Sequence, residues 1–533
     1  MTWQDLYLIL ATGSWIWIVF AFAFGACVGS LINVLVYRLP LGLSVVTPPS
    51  RCPACGTRLT WKENLPVFGW LRLRGRCRFC KSPISPEYPL VEVFVGGLFA
   101  LLFVLWYTVP QNAVAIGVDW GSIKPDWAVW DAKFHHWPRE SWPMFIVLLV
   151  LVASLVAMSL VDLKTYTIPL QIPWFATGVG LLFHAGYAAY LSLTGGGLTF
   201  DTPDRHVAWA IPTPADRMGT GSWWWVGASI GGVVGLVVAN LALHFGLIRR
   251  SFEDYAEWEA RHHQSTAGAG DPPGSAPDAP PVPAPVADAW PSWIPRFWRF
   301  AWVCAAVLVG FAILGSVVST HAEAPRWAGL LVGAIIGPLV AALAVRERVS
   351  EQSAAAEADP TPADDWILYP HARREMLKEL IFLTPCIGLA WLGGQVATNL
   401  GSTPGDSAQI PLWLNVLAGV LMGYLIGGGV VWAARLFGSL AFGKEAMGLG
   451  DVHLMAAVGA CAGWIDATLA FPLAALVGLY WVIVHVLANR EMPKAMQFGP
   501  YLALATMLVI LGKPLIELGL TGLLASEARI NLP

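Results

Sequence analysis

FIVLLVLVASLVAMSLV, residues 145–161, is an unbroken apolar run that ends on an acidic residue: Val161-Asp162-Leu163-Lys164, with Ile168-Pro169 close behind. About 20 mostly apolar residues are what a helix needs to cross a membrane, and with its flank this run predicts a span over 142–161. The same reading predicts spans near 15–37, 89–109, 173–194, 223–247, 299–318, 327–345, 379–397, 412–435, 452–467, 470–488 and 499–520. The expected fold is therefore an all-α polytopic membrane protein with roughly 12 transmembrane helices.

The composition agrees. Of 533 residues, 56% are hydrophobic and 13% charged, whereas a soluble domain is about 45–50% apolar and about 25% charged. The 28 tryptophans suit a chain with many membrane–water boundaries, where indole rings settle. A net charge of −3 excludes strong attraction to a polyanion, and no nucleic-acid partner is expected. The first apolar run is preceded by MTWQDLY, which lacks the basic residues of a signal peptide, and it continues past Cys27 to Tyr37. It reads as an uncleaved first helix.

Basic residues orient the spans. Segment 38–81 carries Arg38, Arg51, Arg58, Lys62, Arg72, Arg74, Arg76, Arg78 and Lys81, so it is expected in the cytoplasm. Alternation then puts the segments beginning at Lys164, Arg249, Arg346, Lys444 and Arg490 on the same side. Residues 264–291 and 351–365 are Pro/Ala-rich linkers without apolar periodicity. The expected organisation is a first transmembrane helix (1–38), a small cytoplasmic tetracysteine module (39–88), helices 2–4 (89–194), inserted hairpins and linkers (195–398), and C-terminal helices (399–533).

Ionisable groups near membrane depth raise a functional hypothesis. Asp162 ends one apolar run, and Asp451 heads another in Met447-Gly448-Leu449-Gly450-Asp451. Six predicted helices separate them, and an even number returns the chain to the same side. Two carboxylates in one site resist double ionisation and share a proton. The ionised member then takes a proton from water and the protonated one donates to a scissile carbonyl. Gly448 and Gly450 allow a tight turn and close approach of a substrate strand. Each aspartate has a plainer reading: Asp162 pairs with Lys164 or marks a helix end, and Asp451 belongs to a helix cap.

Cys52-Pro53-Ala54-Cys55-Gly56 and Cys77-Arg78-Phe79-Cys80 are separated by 21 residues, a spacing that suits a four-thiolate zinc site. Such a metal would supply much of the folding energy of so small a segment. Disulfides or redox pairs are the competing reading, which a cytoplasmic position disfavours. Cys27, Cys304, Cys386 and Cys461 stand singly in apolar runs and read as packing residues.

These blocks resemble the prepilin peptidases, or type IV leader peptidases. Gly29-Ser30-Leu31-Ile32-Asn33-Val34 with Arg38-Leu39-Pro40 is similar to the family's first-helix signature, and the tetracysteine module follows. Next come Tyr88-Pro89-Leu90-Val91-Glu92, VDLKTYTIP with Asp162, Glu445-Ala446-Met447-Gly448-Leu449-Gly450-Asp451, and Phe498-Gly499-Pro500-Tyr501-Leu502-Ala503. The resemblance implies an inner-membrane aspartic endopeptidase of the G-x-G-D type with its active site facing the cytoplasm. Its substrates would be type IV prepilins or type II secretion pseudopilins. It also implies Asp162 and Asp451 as the catalytic pair, Cys52, Cys55, Cys77 and Cys80 as zinc ligands, and Asn33, Arg38, Glu92, Gly448 and Gly450 as supporting positions. Many members methylate the new N-terminus with S-adenosylmethionine, although this chain has no glycine-rich loop after a strand to hold that cofactor.

The chain departs from the family pattern in having about four more helices, around 223–397. Leu170 stands where an aspartate is common, and His453 where lysine is usual. Glu92 is a candidate for binding the leader or supporting methyl transfer, or is simply an acidic residue at a helix start. His371-Ala372-Arg373-Arg374-Glu375 is amphipathic and basic and is expected to rest on membrane lipid headgroups. The alternative to a peptidase is a non-catalytic scaffold or transporter whose zinc module docks a partner. A protease that cuts within helices shares G-x-G-D, but the zinc module and first-helix signature argue against it.

Overall fold

The computed structural model describes residues 14–47, 49–108, 114–115, 118–119, 142–194, 211, 213–214, 222–253, 372–403, 406–407, 410–442, 445–489 and 497–523. The predicted spans 299–318 and 327–345, both linkers and His371 lie outside these residues. The helices are α1 (Ser14–Arg38), α2 (Phe68–Leu73), α3 (Glu87–Phe103, continued by a π-helical turn Val104–Thr108), α4 (Trp142–Thr165), α5 (Gln171–Thr194) and α6 (Trp223–His244). After them come α7 (Ala372–Gly401), α8 (Leu412–Phe442), α9 (Leu449–Ala462), α10 (Trp464–Asn489) and α11 (Gly499–Leu523). The strands are residue pairs only, such as β1 (Val114–Ala115) antiparallel to β2 (Val118–Asp119).

Eight described helices are long and apolar enough to cross a membrane: α1, α3, α4, α6, α7, α8, α10 and α11. The chain is thus a multi-pass helical membrane protein, as its apolar runs predict. Two expectations change in detail. The span at 173–194 is a helix of full length, but its His184, Tyr187 and Tyr190 make α5 less apolar than those eight. The span at 452–467 is a 14-residue helix, α9, about 21 Å long and short of a 30 Å hydrocarbon layer. It stops at Gly463, whose φ of 98° few L side chains adopt, and α10 begins at the next residue. The apolar composition runs through this break, so the sequence puts the division between the two spans at 468–469 instead.

The described chain forms two compact units. The first gathers residues up to 229, 403–434 and 447 onward; the second gathers 230–402 and 435–446. In the first, α4 is central and touches α1, α5, α9 and α11. One apolar core joins Ile32 and Phe99 to Leu151, Leu155, Met158 and Val161 of α4, to Leu454 and Met455 of α9, and to Leu502 of α11. Lipid tails are as apolar as leucine, so close backbone contact rather than water exclusion must join such helices. Gly423 of α8 and Gly459 of α9 supply it: a Cβ on either would overlap the other's carbonyl. In the second unit, Gly231 and Gly235 of α6 lie in the same way against the backbone of Leu389 and Pro385 of α7.

Replacing Gly423 by leucine must therefore push α8 off α9. Overpacking of this kind costs about 1–3 kcal/mol or more, and the thermal unfolding midpoint of the detergent-solubilised Gly423→Leu variant is expected to fall.

Candidate active site and metal centre

Asp162 lies in the last turn of α4, 7% exposed. The helix ends at Thr165, and Tyr166 follows with a left-handed φ of 55°, its N–H donating to the Asp162 carbonyl at 2.8 Å. Pro169 then disfavours helix at Ile168, and α5 starts two residues later. Asp451 lies in the first turn of α9, 8% exposed. Gly448, extended at φ −73° and ψ 151°, is the N-cap residue, so Asp451 is inside the helix rather than capping it. A carboxylate there is favoured by the helix dipole.

Ile168 joins the two segments. A Cβ built on Gly450 would stand 2.9 Å from Cβ of Ile168, so α9 approaches the turn after Asp162 with nothing between. The start of α11 closes in from another side. A Cβ on Gly499 would lie 2.6 Å from Oδ2 of Asp162 and 3.3 Å from Cδ1 of Ile168. The Gly499 N–H donates to the Asp162 carboxylate, and Gln497 Nε2 donates to the Asp162 carbonyl at 2.9 Å. The two acidic segments and the closing block thus converge on one end of the bundle. Gln497 was not singled out in the sequence; only its place just before the closing block marks it.

Lys164 does not pair with Asp162. Its Nζ lies 3.0 Å from Glu87 Oε2, both side chains more than half exposed. This pair ties α4 to the start of α3. Beside it is a groove of about 300 Å³, lined by Asn33, Tyr37, Glu87, Tyr88, Lys164 and Thr165 among others. The remaining supporting residues hold backbone. Asn33 Nδ2 donates to the Tyr88 carbonyl at 3.1 Å, and Arg38 Nη1 to the Ser44 and Val45 carbonyls at 2.9 and 3.2 Å. Glu92 is buried in the second turn of α3, where its Oε2 accepts the Val67 N–H at 2.7 Å. Val67 starts α2 at φ 60°, a costly conformation for a β-branched residue, so Glu92 fixes how α2 leaves the membrane helices.

The tetracysteine module is two matching knuckles. Cys52 N–H donates to Thr57 O and Cys77 N–H to Ser82 O; Gly56 and Lys81 occupy equivalent left-handed positions at φ 69° and 60°. Between them, Trp70 Nε1 donates to Ile84 O at 3.1 Å. Glu63 accepts from the hydroxyl and N–H of Thr60 and from Arg78 at 3.1 Å, which together hold its carboxyl down at about 2. The four Sγ atoms lie within 4.8 Å of one another. Cys52 and Cys80 sulfurs are 3.8 Å apart, and a tetrahedron with zinc–sulfur bonds of about 2.3 Å has edges of about 3.8 Å.

The thiols are unequal. The Thr57 hydroxyl and backbone hold Cys55 down to about 6, and the N–H groups of Cys80 and Phe79 lower Cys77. Cys80, although the Ser82 N–H works against it, is pushed up to about 11 by burial and by the other thiols. Four adjacent thiolates need a cation, and the cluster fits one.

This architecture defines a class: a polytopic helical membrane protein with a four-cysteine cluster able to hold a metal and two buried aspartates gathered at one end. Residues 23–106 match the family described as Bacterial Peptidase A24 N-terminal domain. The chain is 37% identical over 174 residues to a Prepilin leader peptidase/N-methyltransferase of Myxococcus xanthus (strain DK1622), covering 32% of this chain and 42% of the relative. It is 44% identical over 92 residues to one of Klebsiella pneumoniae (16% and 40%), and 32% identical over 204 residues to one of Aeromonas hydrophila (34% and 59%). The chain thus spans about half the length of the curated relatives it matches. No solved structure matches it significantly. The resemblance to prepilin peptidases holds over the aligned residues.

If the cluster holds a metal, the wild-type protein carries about one ion per chain by elemental analysis and Cys77→Ser is expected to lose it. Gly499→Ala must displace the Asp162 carboxylate or α11. Because a shift of about 1 Å in a reacting group costs about 100-fold, any turnover at this candidate site is expected to fall by that order while the protein still inserts.

Proposed function

We propose that this chain is a prepilin leader peptidase: a membrane-embedded aspartic endopeptidase that cuts type IV prepilins or type II secretion pseudopilins at the cytoplasmic face of the inner membrane. The observation that carries the reading is the convergence of the Asp162 and Asp451 segments on Ile168, at the end of the bundle that bears the tetracysteine module. The names of the relatives support the substrate class.

In this reading Asp162 and Asp451 share one proton, because two close carboxylates resist double ionisation. The ionised member accepts a proton from the attacking water as its oxygen bonds to the scissile carbonyl carbon. The protonated member donates to the carbonyl oxygen. Collapse of the tetrahedral centre then breaks the C–N bond, and the leaving amine takes up the proton. The Gly499 N–H holds Asp162 in place throughout, and the lack of a side chain at Gly450 lets the first turn of α9, with Asp451, pack against Ile168. Cys52, Cys55, Cys77 and Cys80 would hold zinc, which supplies folding energy to the module and no chemistry to the cleavage.

Methylation of the new amine is proposed on the likeness to relatives named as N-methyltransferases alone. The described residues offer no strand, glycine loop and helix to cradle a nucleoside cofactor. Transfer of a labelled methyl group from S-adenosylmethionine to cleaved pilin checks it.

Asp162→Asn and Asp451→Asn, each expressed in membranes with a prepilin, are expected to lower cleavage at least about 1000-fold while inserting normally. Cutting at the wild-type rate by either variant would sink the pair.

A further inference from the structure

The second unit holds a buried cluster of charges that the peptidase reading does not use. Arg435, near the end of α8, is 1% exposed and Glu379 of α7 is 3% exposed. Arg435 Nε donates to Glu379 Oε1 at 2.9 Å, and its Nη1 donates to Glu445 Oε1. The guanidinium carbon also stands 5.4 Å from the centroid of the Phe252 ring. Glu379 Oε1 accepts Ser251 Oγ at 2.8 Å. Glu375, one turn earlier on α7, accepts the Phe252 N–H at 2.7 Å and Lys378 Nζ at 2.7 Å.

Glu445 is the first residue of Glu445-Ala446-Met447-Gly448-Leu449-Gly450-Asp451, six positions ahead of Asp451. Its neighbour is fixed too. The Ala446 N–H donates to Ser439 Oγ at 3.1 Å, and Ala446 Cβ packs where a side chain on Gly438 would meet it at 2.7 Å. The segment after α8 therefore folds back on the helix and is pinned at Arg435, Gly438 and Ser439. A buried ion pair is a poor source of net stability, since desolvation offsets the attraction. What it does well is specify one geometry, and breaking it strands a charge.

We propose that Arg435, oriented by Glu379, is a positioning residue that sets the start of the Asp451 segment. The inference rests on the peptidase reading only for its consequence in turnover. The geometry of the bridge is independent of it, and the test keeps the two apart.

The full chain is expressed in membranes with a cysteine at Leu449 (Leu449→Cys), a position 45% exposed just ahead of Asp451. Its rate of alkylation is mapped by mass spectrometry against Arg435→Met, Arg435→Lys and Glu445→Gln, alongside kcat and KM for a prepilin. Arg435→Met is expected to speed alkylation several-fold and lower kcat about 100-fold, with KM within about twofold. Arg435→Lys is expected to be intermediate, because an ammonium cannot fork to two carboxylates as the guanidinium does here. Unchanged alkylation and kcat in a normally inserted Arg435→Met overturn the proposal. Should that variant fail to accumulate, Glu445→Gln decides in the same way, because it keeps the shape and removes only the charge. If alkylation responds while the wild-type protein cuts no prepilin, the bridge stands and the peptidase reading falls.

Discussion

Burial of two carboxylates at one end of an apolar bundle is the constraint around which the first unit is arranged. An ionised group away from water costs several kcal/mol unless dipoles or charges meet it. For Asp162 the main chain of α11 meets it, through the Gly499 N–H, while Gln497 holds its carbonyl. For Asp451 the open N-terminus of α9 points its partial positive charge at the carboxylate. Both solutions use backbone, which is rigid and cannot swing away. Both require backbone to come close, so the contact positions are glycines: Gly499 against Asp162 and Gly450 against Ile168.

The tetracysteine module is joined to that end by three polar links. Glu92 accepts the Val67 N–H, Asn33 donates to the Tyr88 carbonyl, and Lys164 pairs with Glu87. They differ in worth. The Glu92 bond is buried, and breaking it would leave the carboxylate one donor short beside α1, where Ser30 also bonds to it and Gly29 packs on the Glu92 backbone. The Lys164–Glu87 pair is exposed and worth about 0–1 kcal/mol. The module is therefore anchored at Glu92 and only steadied at Glu87, so the groove between α1, α3 and α4 borders a contact that opens at little cost.

Much of this was legible in the sequence because its signals are local. Apolar runs gave α1, α3, α4 and α6 nearly to the residue, and the cysteine spacing gave a cluster whose four sulfurs lie within 4.8 Å of one another. The division of 452–488 into two helices was legible but its place was not, because one glycine in an apolar stretch reads equally as helix interior and the turn falls at Gly463. Glu92 looked like an acidic residue near a helix start, and only the fold shows its partner 25 positions away in Val67. The small-residue spacings Gly231–Gly235 and Gly423–Gly427 did carry a signal, since glycines one turn apart in a membrane helix mark a close crossing. Both pairs do lie against a neighbouring backbone.

Arg435 was the least legible residue of all. Arginine in an apolar run reads as a span end or a lone basic residue, yet this one is among the largest fully buried side chains. A guanidinium at that depth needs carboxylates around it. One comes from Glu445, close in sequence, and the other from Glu379 on α7, 56 positions earlier. Without Glu379, Arg435 would keep half its neutralisation and Glu445 would compete for it with water. Glu379 therefore carries part of the electrostatic balance of the segment that runs from α8 toward Asp451.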